Sequence, residues 1–184
     1  EATLDDPKLP ETARRHALWG LGQVGARQPA ALAAVRNHAR NAEPAYAELR
    51  AQALRVLGDA RYTADAELFL EALDAEPARV RYFAAQGLGK LRHAPAASAL
   101  FAALERNHDA DVALRHGLVM GLTGGANLAA LRTATHDASP AIRLGALLAL
   151  RRLGRSEVTE VLQDSEPALV REAAIAINDV PIAD

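Results

Sequence analysis

Residues 80–91 read VRYFAAQGLGKL, and within them Arg81 is followed by Ala84 and Ala85, then by Leu88 and Gly89. Offsets of three, four and seven put side chains on one face of a helix. The phrase recurs along the chain. Arg14 leads to Ala17, Leu18, Leu21 and Gly22, and Arg50 to Ala53, Leu54, Leu57 and Gly58. Arg115 leads to Leu118, Val119 and Leu122, and Arg143 to Ala146, Leu147 and Leu150. The sixth copy, after Arg171, keeps Ala174 and Ile175 but has Asn178 at the leucine position. Successive anchors lie 36, 31, 34, 28 and 28 residues apart. A period of about 30 residues means stacked helical units, each unable to bury its apolar face alone. The expected fold is all-α: a right-handed α-α superhelix, or solenoid, of five to six helical pairs.

Proline and glycine punctuate this pattern. Pro10, Pro29, Pro44, Pro77, Pro95, Pro140 and Pro167 each stand before a helical stretch, where a missing N–H is harmless and the fixed φ helps. Ser139 is a candidate N-cap, and Glu43, Glu76 and Glu166 place negative charge at the positive end of a helix dipole. Gly25, Gly58, Gly124 and Gly154 stand where a helix should end. The spacing predicts helices over 10–23, 29–40, 44–57, 63–73, 77–91, 95–107, 110–122, 126–135, 140–153, 156–163 and 167–178. The arginine-led helices are the second members of their pairs. Only residues 1–9 precede the first of them, too few for a full partner helix, so the first repeat is incomplete. Residues 1–184 are accordingly read as a single repeat domain that is a fragment of a larger multidomain protein, or whose N-terminal face is covered by another domain or chain.

Composition excludes several classes. Forty-three of the 184 residues are alanine and seven are aromatic, which suits helices packed closely through small side chains. Lys8 and Lys90 are the only lysines among 21 basic residues, an arginine excess read as compositional bias. A formal charge of −2 gives no general attraction to nucleic acid or to an anionic membrane. The absence of cysteine removes disulfides, thiol chemistry and thiolate metal sites. No apolar run approaches the roughly 18–20 residues that span a bilayer, so no membrane insertion is expected.

The arginine phrase, with an acid in the turn before it, resembles HEAT repeats over almost the whole chain. Asp109 and Asp137 stand six residues before their arginines, and Asp74, Asp164 and Glu43 stand seven before theirs. The resemblance implies a structural ladder in which Arg14, Arg50, Arg81, Arg115, Arg143 and Arg171 bond turn carbonyls and the acids Asp74, Asp109, Asp137 and Asp164 of their own or a neighbouring repeat. The strings ALWGLGQVG (17–25), VRYFAAQGLGKL (80–91), LRHGLVMGL (114–122), IRLGALLALRRLG (142–154) and VREAAIAINDVPI (170–182) also resemble a narrower group. These are large planctomycete-type, membrane-bound dehydrogenase and haem-binding multidomain proteins, with a β-propeller, a HEAT-like segment and a CxxCH cytochrome domain. That likeness implies an exported or periplasmic protein in which the repeats connect domains. The chain contains no CxxCH, and no catalytic residue carries over.

Reaction chemistry is poorly represented. The six histidines, at 16, 38, 93, 108, 116 and 136, form no HExxH and no pair one helical turn apart. The densest polar group, His108, Asp109, Asp111 and His116, reads as a turn followed by a helix start. It lacks the mid-loop glycine and downstream glutamate of an EF-hand. Gly121, Gly124 and Gly125 are followed by no GK[ST], and no serine lies in a GxSxG elbow. No cofactor, metal or catalytic residue is expected.

A binding surface is better supported. Residues one, five and nine places after each arginine share a face beside the core stripe, which in HEAT stacks generally lines the concave side. This row contains Arg15, Trp19, Gln23, Arg55, Tyr82, Gln86, Lys90, His116, Met120 and Arg152. Its mixture of Trp, Tyr, Met and Arg is that of a protein-binding hot spot, with Trp19 or Met120 filling gaps between helices as the plainer alternative. The groove is expected to centre on Arg15, Trp19, Tyr82, Gln86 and His116. The leading function is a non-catalytic scaffold whose partner is another protein or a neighbouring domain of the same parent chain. The alternatives are a HEAT-like enzyme acting on alkylated DNA or a bilin pigment, and a purely structural spacer.

Overall fold

Each arginine-led phrase forms the helix that its spacing predicts. The computed structural model describes residues 2–179, and among these there is no strand. The helices are α1 (Ala2–Asp5), α2 (Glu11–Gly25), α3 (Leu32–Arg40), α4 (Ala47–Ala60), α5 (Ala66–Ala72) and α6 (Ala78–Leu91). They continue with α7 (Ala97–Asn107), α8 (Val112–Gly125), α9 (Leu128–Ala134), α10 (Pro140–Arg152) and α11 (Pro167–Asp179). The stretch Ser156–Gln163 is a 3-10 helix. The close of the string that ends AINDVPI lies outside the described residues.

The chain divides into two compact units, Glu1–Leu91 and Arg92–Asp184. In the first, α3 packs on α4 and α5 on α6, while α2, α4 and α6 follow one another side by side. In the second, the pairs are α7 with α8, α9 with α10, and the 3-10 segment with α11. The repeat register explains both cores. Leu18, Ala53, Leu54, Leu57, Ala84, Ala85 and Leu88 are buried in the first unit, with Phe69 from the partner helix α5. Leu118, Val119, Leu122, Ala146, Leu147 and Leu150 are buried in the second. Each fully buried Leu or Phe contributes about 1.5–3 kcal/mol of transfer free energy.

Departures from the expected elements have local causes. Four of the predicted helices begin with a 3-10 turn, at Pro29–Ala31, Pro44–Tyr46, Thr63–Asp65 and Ala94–Ala96. The first N–H groups of a helix have no partner four residues back, so a tighter turn satisfies part of the deficit. Residues before Leu9 are too few for a full partner helix to α2, as expected. They form the single turn α1, whose Leu4 is completely buried and whose Asp5 Oδ1 lies 3.0 Å from His38 Nε2.

Gly58 does not end its helix. α4 runs on to Ala60, and Arg61 adopts the left-handed turn at φ 58°. Gly58 sits instead at a close approach of two helices: a Cβ there would lie 3.1 Å from the Cα of Gly87 on α6, tighter than ordinary contact. Gly154 is the true turn glycine, with φ 63°, a conformation that an L side chain adopts only with strain. The Ser139 side chain does not cap α10; instead Asp137 Oδ1 accepts from the Ser139 N–H at 2.8 Å.

The degenerate sixth copy is rotated. In α11 the buried residues are Leu169, Ala173 and Ala176, whereas Ile175 is 38% exposed. Keeping the expected register would have placed the Asn178 amide in the core, at a cost of several kcal/mol without a partner, roughly 2–7.

Candidate functional site

The six anchor arginines were expected to form one ladder, and their surroundings differ. Arg143 comes nearest to that expectation. Its Nε and Nη2 donate to Asp164 Oδ2 and Oδ1 at 2.7 and 2.9 Å. Its Nη1 donates to the carbonyls of Asp137 and Ala138 at 2.9 and 3.1 Å. The two side chains are only 10% and 5% exposed. Hydrogen bonding to Arg143 holds the Asp164 carboxyl below its ordinary range against the opposing effect of burial, and the Arg143 pKa is raised in turn.

Arg50 Nε donates to the Ala39 carbonyl at 3.1 Å, and burial lowers its pKa against the charge of Glu71. Arg81 Nη1 donates to the Ala75 carbonyl at 2.9 Å and lies 2.7 Å from Glu76 Oε1. Arg115 pairs with Asp109 of its own turn. Arg14 instead lies over the Tyr46 ring, 5.2 Å from its centroid.

Arg171 is exposed because α11 is rotated. Asp137 meets Arg143 through its carbonyl while its carboxylate caps the next turn, and Asp74 is exposed. The repeated guanidinium thus serves first to satisfy the carbonyls and acids of helix-joining turns. A second bidentate pair escaped the sequence pattern. Arg36, on the first helix α3, donates to Asp65 at 2.7 and 3.1 Å and stacks on Tyr62.

None of the ten predicted face residues is fully buried. On α2, Trp19 is 40% exposed and its Nε1 donates to Gln52 Oε1 at 3.1 Å. Gln52 Nε2 donates to Glu48 Oε1 at 2.9 Å, and Glu48 Oε2 accepts from Arg79 Nε at 2.7 Å. This line of polar groups ties together the exposed edges of α2, α4 and α6. Arg15 joins it, with Nη1 3.9 Å from Glu48. Sequence reasoning missed Gln52, Glu48 and Arg79; the signal was the Glu48–Gln52 spacing of four residues, which puts both on one face of α4.

Trp19, Gln23 and Arg55 line one open cleft of about 460 Å³, together with Asp59 and Tyr62. Tyr82 and Gln86 are bonded to each other instead, Gln86 Nε2 donating to the Tyr82 hydroxyl at 2.8 Å. Lys90 Nζ meets Asp59 at 2.6 Å. In the second unit, His116 and Arg152 share another cleft, and Met120 is half-buried. Arg15, Trp19, Gln23, Arg55, Tyr82, Gln86 and Lys90 thus belong to the first unit, and His116, Met120 and Arg152 to the second.

Among the described residues, no three His, Asp or Glu side chains are grouped so as to hold a metal ion. In the densest polar group, Asp109 is taken by Arg115. Asp111 caps α8, its Oδ1 accepting from the Leu114 N–H at 2.9 Å. No helix among the described residues is long and apolar enough to cross a membrane.

This geometry agrees with comparison to known proteins. Residues 43–118 match the family model for HEAT repeats. The complex of CpcE and CpcF of phycocyanin lyase from Nostoc sp. PCC7120 contains a similar chain, with TM-score 0.61 and 21% identity, over 98% of this chain and 79% of that one. A HEAT-like repeats protein from the archaeon Thermococcus onnurineus NA1 gives 0.58 and 15%, over 97% and 84%. A designed armadillo repeat protein in complex with the peptide (KR)4 gives 0.55 and 13%, over 96% of each chain. No curated protein matches the chain. Residues 43–118 thus carry the HEAT-repeat pattern, and the chain shares the all-α solenoid fold of HEAT and armadillo repeat proteins.

Proposed function

We propose that this protein is a non-catalytic HEAT-like module that binds another protein, or a neighbouring domain of its parent chain, through the exposed faces of its second helices. The observation that carries this reading is the cleft at Trp19, Gln23 and Arg55. A large aromatic ring stays 40% exposed there, held by one hydrogen bond to a buried glutamine. A fixed aromatic beside an arginine that makes no hydrogen bond or ion pair among the described residues is the usual form of an interface anchor. The mechanism is geometric: successive repeats present side chains at fixed spacing on packed helices.

The finer reading places the module in an exported bacterial redox protein, joining a dehydrogenase propeller to a cytochrome. Its support is the likeness of strings such as VRYFAAQGLGKL to that group. A parent gene encoding neither domain would remove it.

The binding reading is tested by affinity capture with the full chain and with the double variant Trp19→Ala, Arg55→Ala. Proteins retained by the first and lost by the second support it. Equal capture by both would refute the role of this face. A bilin-processing role is favoured only by the shared fold of the phycocyanin lyase chain. Retention of bilin colour by the purified protein would move the conclusion to that reading, and a gel shift on alkylated DNA would do the same for a glycosylase.

A further inference from the structure

We infer that the second unit carries a docking cleft for an acidic protein segment bearing an aliphatic side chain. This deepens the protein-binding reading and rests on it. The cleft encloses about 530 Å³ between α8 and α10, enough for a few side chains and not for a folded element.

Its floor is apolar. Val119 is 3% exposed, and Val112, at the mouth, is 60% exposed; Leu148 comes from α10 and is half-buried. Val112, His116 and Val119 follow one another at helical spacing, so one stripe of α8 supplies both floor and wall. An aliphatic side chain laid on this floor would cover the exposed valine.

The walls carry donors and no acid. Four side chains, Arg115, His116, Arg151 and Arg152, line the cleft, and no Asp or Glu does. Two of these are already positioned from outside. Arg115 is held by Asp109, and Arg151 bonds Glu172 and Asp179 at 2.6 and 2.8 Å. Arg152 and His116 are exposed and make no hydrogen bond or ion pair among the described residues. An occupant that engages both features brings negative acceptors for Arg152 and His116 and an apolar group for the floor. The cleft in the first unit differs, because Asp59 lines it beside Arg55.

Nucleic acid fits less well. Its affinity comes from many phosphates neutralised at once, whereas two of the three arginines here already carry carboxylates and the chain is net negative at −2. A phosphate strand also has nothing to lay on Val112 and Leu148. Carboxylates next to a leucine or isoleucine match both features.

The test is fluorescence anisotropy on the full chain with a fluorescein-labelled peptide of repeating Glu-Leu-Glu. Two controls replace Glu by Lys or Leu by Ser. The Glu–Leu peptide should bind, and both controls should bind at least about tenfold more weakly. Affinity should fall as salt rises from about 0.05 to about 0.5 M, since the walls are solvent-exposed charges. Arg152→Glu should weaken binding by about tenfold and Val112→Ser by several-fold, with Arg152→Gln intermediate. Circular dichroism confirms that each variant, altered at an exposed site, stays folded.

Trp19→Ala, Arg55→Ala should bind this peptide as the unaltered protein does, which separates the two surfaces. If the peptide binds here while capture is indifferent to Trp19, the partner surface lies in the second unit. If capture needs Trp19 while the peptide fails, protein binding stands and the acidic occupant falls. Equal binding by the Glu and Lys peptides, an Arg152→Glu variant that binds undiminished, or displacement of the peptide by single-stranded DNA at lower concentration would overturn the inference.

Discussion

Replacing Asp164 by Asn removes one charge from the most buried ion pair described and leaves its shape nearly intact. In the folded protein Asp164 accepts from Arg143 Nε and Nη2 at 2.7 and 2.9 Å, and from the Glu166 N–H at 2.8 Å. The side chains are 5% and 10% exposed, so water cannot take over from the lost carboxylate. An asparagine can accept through its oxygen, but its amide faces a guanidinium donor where the second carboxylate oxygen was. Breaking a buried pair by removing one partner costs about 3–5 kcal/mol. Retaining one acceptor brings the expected loss to about 2–4 kcal/mol.

Urea denaturation followed by far-UV circular dichroism measures that loss, with amide exchange at Leu150 and Val161 assigning it to the second unit. The pH dependence supplies a second check. The folded-state pKa of Asp164 lies below its ordinary value, so its contribution is complete above the unfolded carboxylate pKa of about 3.9 and is lost as pH falls through the lower folded value. The gap between the unaltered protein and Asp164→Asn should therefore be constant from about pH 7 to pH 5 and narrow toward pH 2. A loss below about 1 kcal/mol, or a gap that persists unchanged into acid, would refute the argument that this buried pair ties α10 to the turn before α11.

Gly87→Ala should destabilise the first unit by about 1–3 kcal/mol through overpacking, because the added Cβ would collide with the fully buried Phe69 ring. Gly20→Ala, in mid-helix with nothing within 4 Å of the new methyl, should stabilise by about 0.5–1 kcal/mol; thermal melting distinguishes the two. Gln52→Ala removes the acceptor of the Trp19 indole and a 2% exposed amide. It should cost about 1–2 kcal/mol and shift the emission of this single tryptophan, read by fluorescence. Asp65→Ala leaves Arg36 without its bidentate partner and should lower stability by about 2–4 kcal/mol, measured in the same urea titration.

The helical pairs were legible because burial repeats every few residues and proline marks most helix starts. The register after Arg81 predicts Ala84, Ala85 and Leu88 as core, and all three are buried. The roles of the glycines were less legible. Gly58 and Gly87 sit where two helices nearly touch, a demand set by a neighbour about thirty residues away and invisible to a local rule.

The arginine ladder was read too uniformly for the same reason. Arg143 finds Asp164 in the following repeat of the same unit, whereas Arg14 finds Tyr46 and Arg171 is turned outward with α11. A guanidinium takes whichever acceptor the packing brings near, and spacing alone does not select it. The exposed face was legible as a set of positions, but its internal bonding was not. Tyr82 is engaged by Gln86 and Trp19 by Gln52, pairings that depend on rotamer and helix separation.

The most direct test of protein binding through the second-helix faces is site-specific photo-crosslinking. A benzoyl-phenylalanine at Gln23, exposed on α2 beside Trp19, is compared with one at Glu67, exposed on the first helix α5. The account predicts a discrete crosslinked partner from the Gln23 position, abolished by Arg55→Ala, and none from Glu67. Crosslinks of equal yield from both positions, or from Glu67 alone, would contradict it.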